Sequence, residues 1–167
     1  MREFIARVAS AREPVPAGGS VVALTGASSA ALLVLVCGVL QRKDVPSVAE
    51  LSARAAVLQE RLLALVDLDA AAFRAFLDDK HGQAAIMRLS ETPIEIAQSC
   101  AELAALSLRI ERHTSGPMQG DLRAARHLAL AGLDAALDIA KQNISVQADP
   151  LAQRRLRAQI AALRRRH

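Results

Sequence analysis

The chain has no tryptophan and no tyrosine, and its only aromatic rings are Phe4, Phe73 and Phe76. Recognition that stacks nucleic-acid bases on aromatic platforms is therefore excluded. There are two cysteines, Cys37 and Cys100, with no CxxC pair and no cysteine–histidine spacing of a zinc site. Both sit in apolar sequence, the pattern of reduced, buried thiols in a cytoplasmic protein rather than of nucleophiles. Eight glycines and six prolines in 167 residues are too few for a low-complexity segment. Acidic residues are absent after Pro150, where Arg154, Arg155, Arg157, Arg164, Arg165 and Arg166 all fall. These six exceed the net charge of +4, so residues 1–149 are slightly acidic and the basicity belongs to the tail. A basic terminal helix of this kind is read as a solvated or partner-contacting face, with no nucleic acid implied.

What is present is aliphatic. Ala, Leu, Val and Ile make up 79 of 167 residues, a composition too apolar for disorder and long enough for one domain with a real core. Pro14 to Gln41 carries no charge, and Val21–Leu40 is twenty residues of mostly apolar sequence, enough in length to span a bilayer. Thr25, Ser28, Ser29 and two glycines interrupt it, and Met1–Glu13 ahead of it reads as an amphipathic helix. A helix apolar on every side is also what the centre of a bundle requires.

Helix boundaries are well marked. Ser20, after Pro16-Ala17-Gly18-Gly19, is placed to cap a helix to about Leu40. Ser47 with Glu50 forms a capping box opening a helix to about Asp79, and Thr92-Pro93-Ile94-Glu95 forms another, with proline at the first helical position, to about His113. Asp121 is placed to cap the next helix, to about Ile144, and Asp149-Pro150 opens the last. Residues 80–91 are ambiguous, with a helical turn or two at Gln83–Leu89. No segment alternates with period two over a useful length. The expectation is an all-α bundle of five or six helices around an apolar central helix, a single domain over 1–167 with an Arg-rich terminal helix at 150–167. Helices this rich in alanine pack closely and leave apolar faces to cover, so a homodimer is expected.

Polar residues set among apolar ones carry the chemical information. The long helix has the stripe Leu51, Ala55, Leu58, Leu62, Leu65, then Phe73 and Phe76, and Asp69 continues it eleven residues after Leu58. Burial raises a carboxylate's pKa, which is how general acid–base groups are tuned; a structural Asp paired with an arginine or a helix N-terminus fits the same pattern. Asp67 points elsewhere. The Gly18-Gly19-Ser20 stretch lets backbone approach a ligand at a helix N-terminus, or is a plain turn and cap; it is neither a P-loop nor a dinucleotide fingerprint. His127, Asp134, Asp138 and Lys141 share one face of the fifth helix, opposite the apolar face of Leu122, Ala125, Ala129, Leu133, Ala136 and Ala140. That set is read as solvated, and no metal is assigned. His81, His113 and His167 sit at element or chain ends and define no site.

Four pieces in order resemble the cyclodeaminase/cyclohydrolase family, that of the C-terminal half of formiminotransferase-cyclodeaminase and of stand-alone methenyltetrahydrofolate cyclohydrolases. Pro16-Ala17-Gly18-Gly19-Ser20-Val21-Val22-Ala23-Leu24 is similar to the family's opening of a proline, three glycines, a serine and a Val-Ala-rich helix. Asp67-Leu68-Asp69-Ala70-Ala71-Ala72-Phe73 resembles its Asp-Ala-x-x-Phe/Tyr helix, Thr92-Pro93-Ile94 its mid-chain proline, and Gly116 with Asp121 its Gly-Asn … Ser-Asp turn. The chain departs at Ala17, at Gly120, in the short stretch from Asp79 to Pro93, and at Asp138-Ile139 with Gln142-Asn143, where the family has an Asn-Val-x-x-Asn pattern.

The resemblance implies a homodimer of helical bundles binding a reduced folate in a cleft, with Val21–Leu40 as a buried helix and not a membrane span. It implies hydrolysis of 5,10-methenyltetrahydrofolate to 10-formyltetrahydrofolate, or the cyclodeamination of formiminotetrahydrofolate with release of ammonia, or a diverged member that binds a folate or a protein without turnover. Asp69 would hold the cation and accept a proton; Gly18, Gly19, Ser20 and Phe73 would contact the ligand. Asp121 would anchor the pterin edge, and Arg42 and Lys43 would meet the glutamate carboxylates. No cofactor is implied.

Overall fold

A computed structural model describes residues 1–43, 45–80 and 82–165. His81, Arg166 and His167, named above, lie outside them. Six α-helices follow in order: α1 (Arg2–Val8), α2 (Gly18–Gln41), α3 (Ala49–Asp78), α4 (Gln83–Glu111), α5 (Met118–Ile144) and α6 (Pro150–Arg164), and no strand occurs among the described residues. The expected all-α class and the apolar central helix both hold.

Helices α2 to α5 run up and down in sequence and close on themselves. Gly18 and Ser29 of α2 meet Ile139 and Ala125 of α5, and Ser20 and Gly26 meet Val66 and Leu62 of α3. Arg54 and Arg61 pair with Glu102 and Glu95 of α4, and Leu89 and Glu111 of α4 meet Asn143 and Arg126 of α5, so each neighbouring pair is antiparallel. These surface ion pairs are about half exposed and fix register more than they stabilise. Helix α2 touches α3, α4 and α5, which explains a sequence apolar on almost every side. It is the one described helix long and apolar enough to cross a membrane. In this fold it is the core helix: Ala23, Ala27, Ala30, Leu33, Val36 and Cys37 are all buried. Helix α6 lies on α4 and α5, anchored by Leu156 and Ile160.

Small residues set the spacing of the core. A methyl group at Gly26 of α2 would stand 2.8 Å from the Cys100 sulfur of α4, and one at Gly132 of α5 would stand 2.9 Å from it. The thiol of α4 thus fills the space left by a glycine on α2 and a glycine on α5. Burial pushes Cys100 to about 12 and Cys37 to about 11, as expected for inert core thiols.

Several helix starts differ from expectation. Helix α1 is shorter than the expected Met1–Glu13 and buries none of its residues. Helix α3 starts after a 3₁₀ turn, Pro46–Val48, and the Ser47–Glu50 box makes no capping bond. Asp121 is not a cap: α5 starts at Met118 and Asp121 lies in its first turn. Asp149 does cap α6, accepting the Leu151 N–H at 2.9 Å with Pro150 at the first position.

The largest difference is at Pro93, which lies inside α4. An interior proline removes the bond to the carbonyl four residues earlier, here Leu89, at a cost of about 3 kcal/mol. That carbonyl instead accepts from Asn143 Nδ2 of α5 at 2.8 Å, while Thr92 Oγ1 turns back to the Arg88 carbonyl at 2.8 Å. Helix α4 therefore continues through the proline, and residues 83–91 are part of it.

Candidate active site

The site is built where α2 begins. Val15 and Pro16 are buried and hold the preceding loop against the bundle, with Ala17 in the cap position. Gly18, Gly19 and Ser20 form the first turn, whose backbone N–H groups have no partners within the helix. Ser20 is not the cap that its position in the sequence suggested. Its fully buried hydroxyl oxygen lies 3.0 Å from the Val66 carbonyl and 3.0 Å from Asp69 Oδ2, both on α3.

Asp69 closes against this turn because Gly19 has no side chain. A methyl group there would stand 2.0 Å from Asp69 Oδ1 and 2.5 Å from Cγ, so any larger residue displaces the carboxylate. Burial raises the Asp69 carboxyl above its ordinary value, and hydrogen bonds from the Ser20 hydroxyl and backbone N–H offset part of that rise. The helix N-terminus is the partner that the sequence had left open, and no cation is paired with the group among the described residues.

The Ser20 hydroxyl has one proton and two acceptors in reach. When Asp69 is ionised, the hydroxyl donates to the carboxylate. When Asp69 is protonated, the acid donates to Ser20 Oγ, which turns its own proton to the Val66 carbonyl. The pair thus accommodates a proton on Asp69 without orphaning any polar atom. A group with a raised pKa and a built-in means of taking up a proton is suited to general base work.

Phe73 lies one turn beyond Asp69 on α3 and Phe76 follows, their ring centroids 6.4 Å apart. Both are half-buried, where the stripe predicted full burial. Ile139 of α5 stands over Gly18, its Cδ1 3.6 Å from the position of an added methyl group. Ile139 was missed because it lies 121 residues from Gly18 in the chain and joins it only through helix pairing.

The remaining candidates lie elsewhere. Arg42 and Lys43 follow the other end of α2, ~36 Å along the axis from Gly18 at the usual rise per residue. Asp121 is eighteen residues before Ile139 on α5, ~27 Å along that helix from the part over Gly18. Within one chain, none of these three reaches Asp69. Asp67 is exposed, as expected, and so are His127, Asp134, Asp138 and Lys141.

The architecture and site together define the class: an antiparallel helical bundle whose core helix begins in a Gly-Gly-Ser turn carrying a carboxylate from the next helix. A family profile for formiminotransferase-cyclodeaminase matches residues 1–162. The chain belongs to that family. Among solved structures it is similar to formiminotetrahydrofolate cyclodeaminase from Thermotoga maritima, with a TM-score of 0.92 at 19% identity, covering 99% of this chain and 88% of that one. This likeness is one of fold. A comparison with curated protein sequences returned no match.

Proposed function

We propose that the chain is an enzyme of one-carbon metabolism that hydrolyses 5,10-methenyltetrahydrofolate to 10-formyltetrahydrofolate. One observation carries this reading: the Asp69 carboxylate seated on the Gly18–Ser20 turn, in a member of this family. The substrate's cationic charge is spread over N5, the one-carbon unit and N10, and an anionic carboxylate beside it stabilises that charge. Water adds through oxygen to the carbon, and Asp69 takes one of its protons while Ser20 turns toward Val66. The carbinol then collapses: the N5–carbon bond breaks, Asp69 returns its proton to N5, and the carbinol proton leaves to solvent. Bonds and charge balance without a redox group or metal. Gly18, exposed at the start of the turn, offers backbone to the ligand, Gly19 and the Ser20 N–H hold the Asp69 carboxylate, and Phe73 supplies an apolar wall for the pterin.

A second reading, formiminotetrahydrofolate cyclodeaminase, is favoured by the likeness of fold to the Thermotoga maritima enzyme of that name. There N10 attacks the formimino carbon, and the proton held by Asp69 goes to the departing ammonia.

The outward face of α2 bears Val21, Leu24, Ala31, Leu32, Leu35 and Val39 with no charge, and Leu35 is 48% exposed. A second copy covering this stripe makes the protein a homodimer, with the site at the edge of the interface.

The test offers the purified protein methenyltetrahydrofolate and formiminotetrahydrofolate in parallel. Accelerated loss of methenyl absorbance supports the first reading, and ammonia release the second. Ligand-induced stabilisation without turnover points to a diverged binding protein, and no response to either folate sinks all three.

A further inference from the structure

A second site is built from residues that the Asp69 region does not use. Helices α5 and α6 enclose a groove of about 400 Å3 lined by Lys141, Ile144, Arg157, Ile160, Ala161 and Arg164. Its floor is apolar: Ile144 and Ile160 are 1% and 4% exposed. Three cations from two helices rim it, and the acid beside them is Asp138, which serves two of them at once, 2.8 Å from Arg164 and 3.8 Å from Lys141. Arg157 has no ion pair among the described residues. The next acid, Asp134, lies in the adjoining depression with Leu130, Leu133, Leu137 and Arg164. Elsewhere on α6, Arg155 is matched by Glu91 at 2.8 Å; the groove is where cations of two helices meet over an apolar floor.

We infer that the α5–α6 groove binds an organic phosphate: a dianionic phosphate ester whose apolar body lies on Ile144 and Ile160 while Lys141, Arg157 and Arg164 hold the phosphate. Three cations and one carboxylate, which pairs with two of them, leave the groove with a formal excess of about two positive charges, the charge that a phosphate monoester neutralises. Arginine forks match phosphate oxygens in pairs, and lysine adds a point charge. A carboxylate ligand supplies half that charge, and a bare inorganic ion leaves the apolar floor unused.

The groove shares no residue with the Gly18–Ser20 turn or Asp69, so its occupancy is independent of the folate reading. Calorimetric titration of the full chain with phenyl phosphate, beside inorganic phosphate and benzoate, tests it. Phenyl phosphate is expected to bind most tightly. Lys141→Gln with Arg157→Gln should weaken it by about tenfold or more, and Arg109→Gln, at an exposed cation twenty residues along α4 from the Leu89 carbonyl that Asn143 reaches, should not. Asp138→Asn should tighten it several-fold by removing the competing acid. Vesicles containing phosphatidic acid, sedimented with the same variants, separate a lipid headgroup from a free phosphate ester: variant-sensitive binding to either supports the site. No binding to either, equal binding by the double variant, or weaker binding by Asp138→Asn overturns the inference.

Discussion

Gly19→Ala probes the contact on which the site depends. The added methyl group would stand 2.0, 2.7 and 2.5 Å from Asp69 Oδ1, Oδ2 and Cγ, against an ordinary contact of about 3.5 Å. Asp69 must leave, forfeiting hydrogen bonds from the Ser20 hydroxyl and N–H worth about 1 kcal/mol each, and forced overpacking costs a further ~1–3 kcal/mol. Alanine's better helix propensity returns up to about 1 kcal/mol. The net is a destabilisation of roughly 2–4 kcal/mol. In an Asp69→Ala background the clash is gone, and Gly19→Ala should become neutral or stabilising by up to about 1 kcal/mol. Urea unfolding of the four proteins, followed by far-UV circular dichroism because the chain lacks tryptophan, measures both steps. If Gly19→Ala costs the same in both backgrounds to within about 0.5 kcal/mol, the carboxylate is not what requires the glycine.

Other consequences follow from the same geometry. Asn143→Ala should cost about 1–3 kcal/mol by orphaning the Leu89 carbonyl, and clearly less beside Pro93→Ala, whose restored N–H refills that carbonyl; equal costs in a denaturation cycle would contradict the assigned bond. Cys37 and Cys100, pushed to about 11 and 12, should resist alkylation at neutral pH until the protein unfolds, as mass spectrometry of timed iodoacetamide quenches will show. If two copies pair over the α2 stripe as proposed, the wild type should sediment as a dimer and Leu35→Arg as a helical monomer; a monomeric wild type, or a dimer that Leu35→Arg leaves intact, would contradict that pairing. Asp69 is raised in the folded chain, so the native state holds its proton to higher pH than the unfolded state. Its contribution to stability therefore falls as pH rises from the ordinary aspartate range through the raised value, and Asp69→Asn should remove that part of the slope in urea midpoints.

How far the sequence could be read depended on how local the cause was. The stripe Leu51, Ala55, Leu58, Leu62 and Leu65 is buried as its spacing predicts, and Asp69 continuing that stripe marked the carboxylate correctly as partly buried. Its partner is local to another helix: nothing near residue 69 shows that Ser20 and Gly19 will stand against it. Pro93 reads as a helix start because its local chemistry favours one; the compensating amide, Asn143, is fifty residues away. Arg42, Lys43 and Asp121 were assembled around the ligand by resemblance, whereas antiparallel helices of 24 and 27 residues carry them to the opposite half of the bundle. Helix lengths were legible and pairing directions were not, and it is pairing that decides which ends meet.

The central claim is that Asp69, held by Gly19 and Ser20, is the proton acceptor. The most direct measurement is single-turnover hydrolysis of methenyltetrahydrofolate by the wild type and Asp69→Asn across pH, with folding checked by circular dichroism. The wild-type rate should rise with pH through a midpoint above the ordinary aspartate value and then level, since only the ionised carboxylate accepts a proton. Asp69→Asn should keep the fold and lose about 10²–10⁴-fold in rate with that midpoint abolished. A folded Asp69→Asn protein that retains the wild-type rate and pH profile would contradict the account.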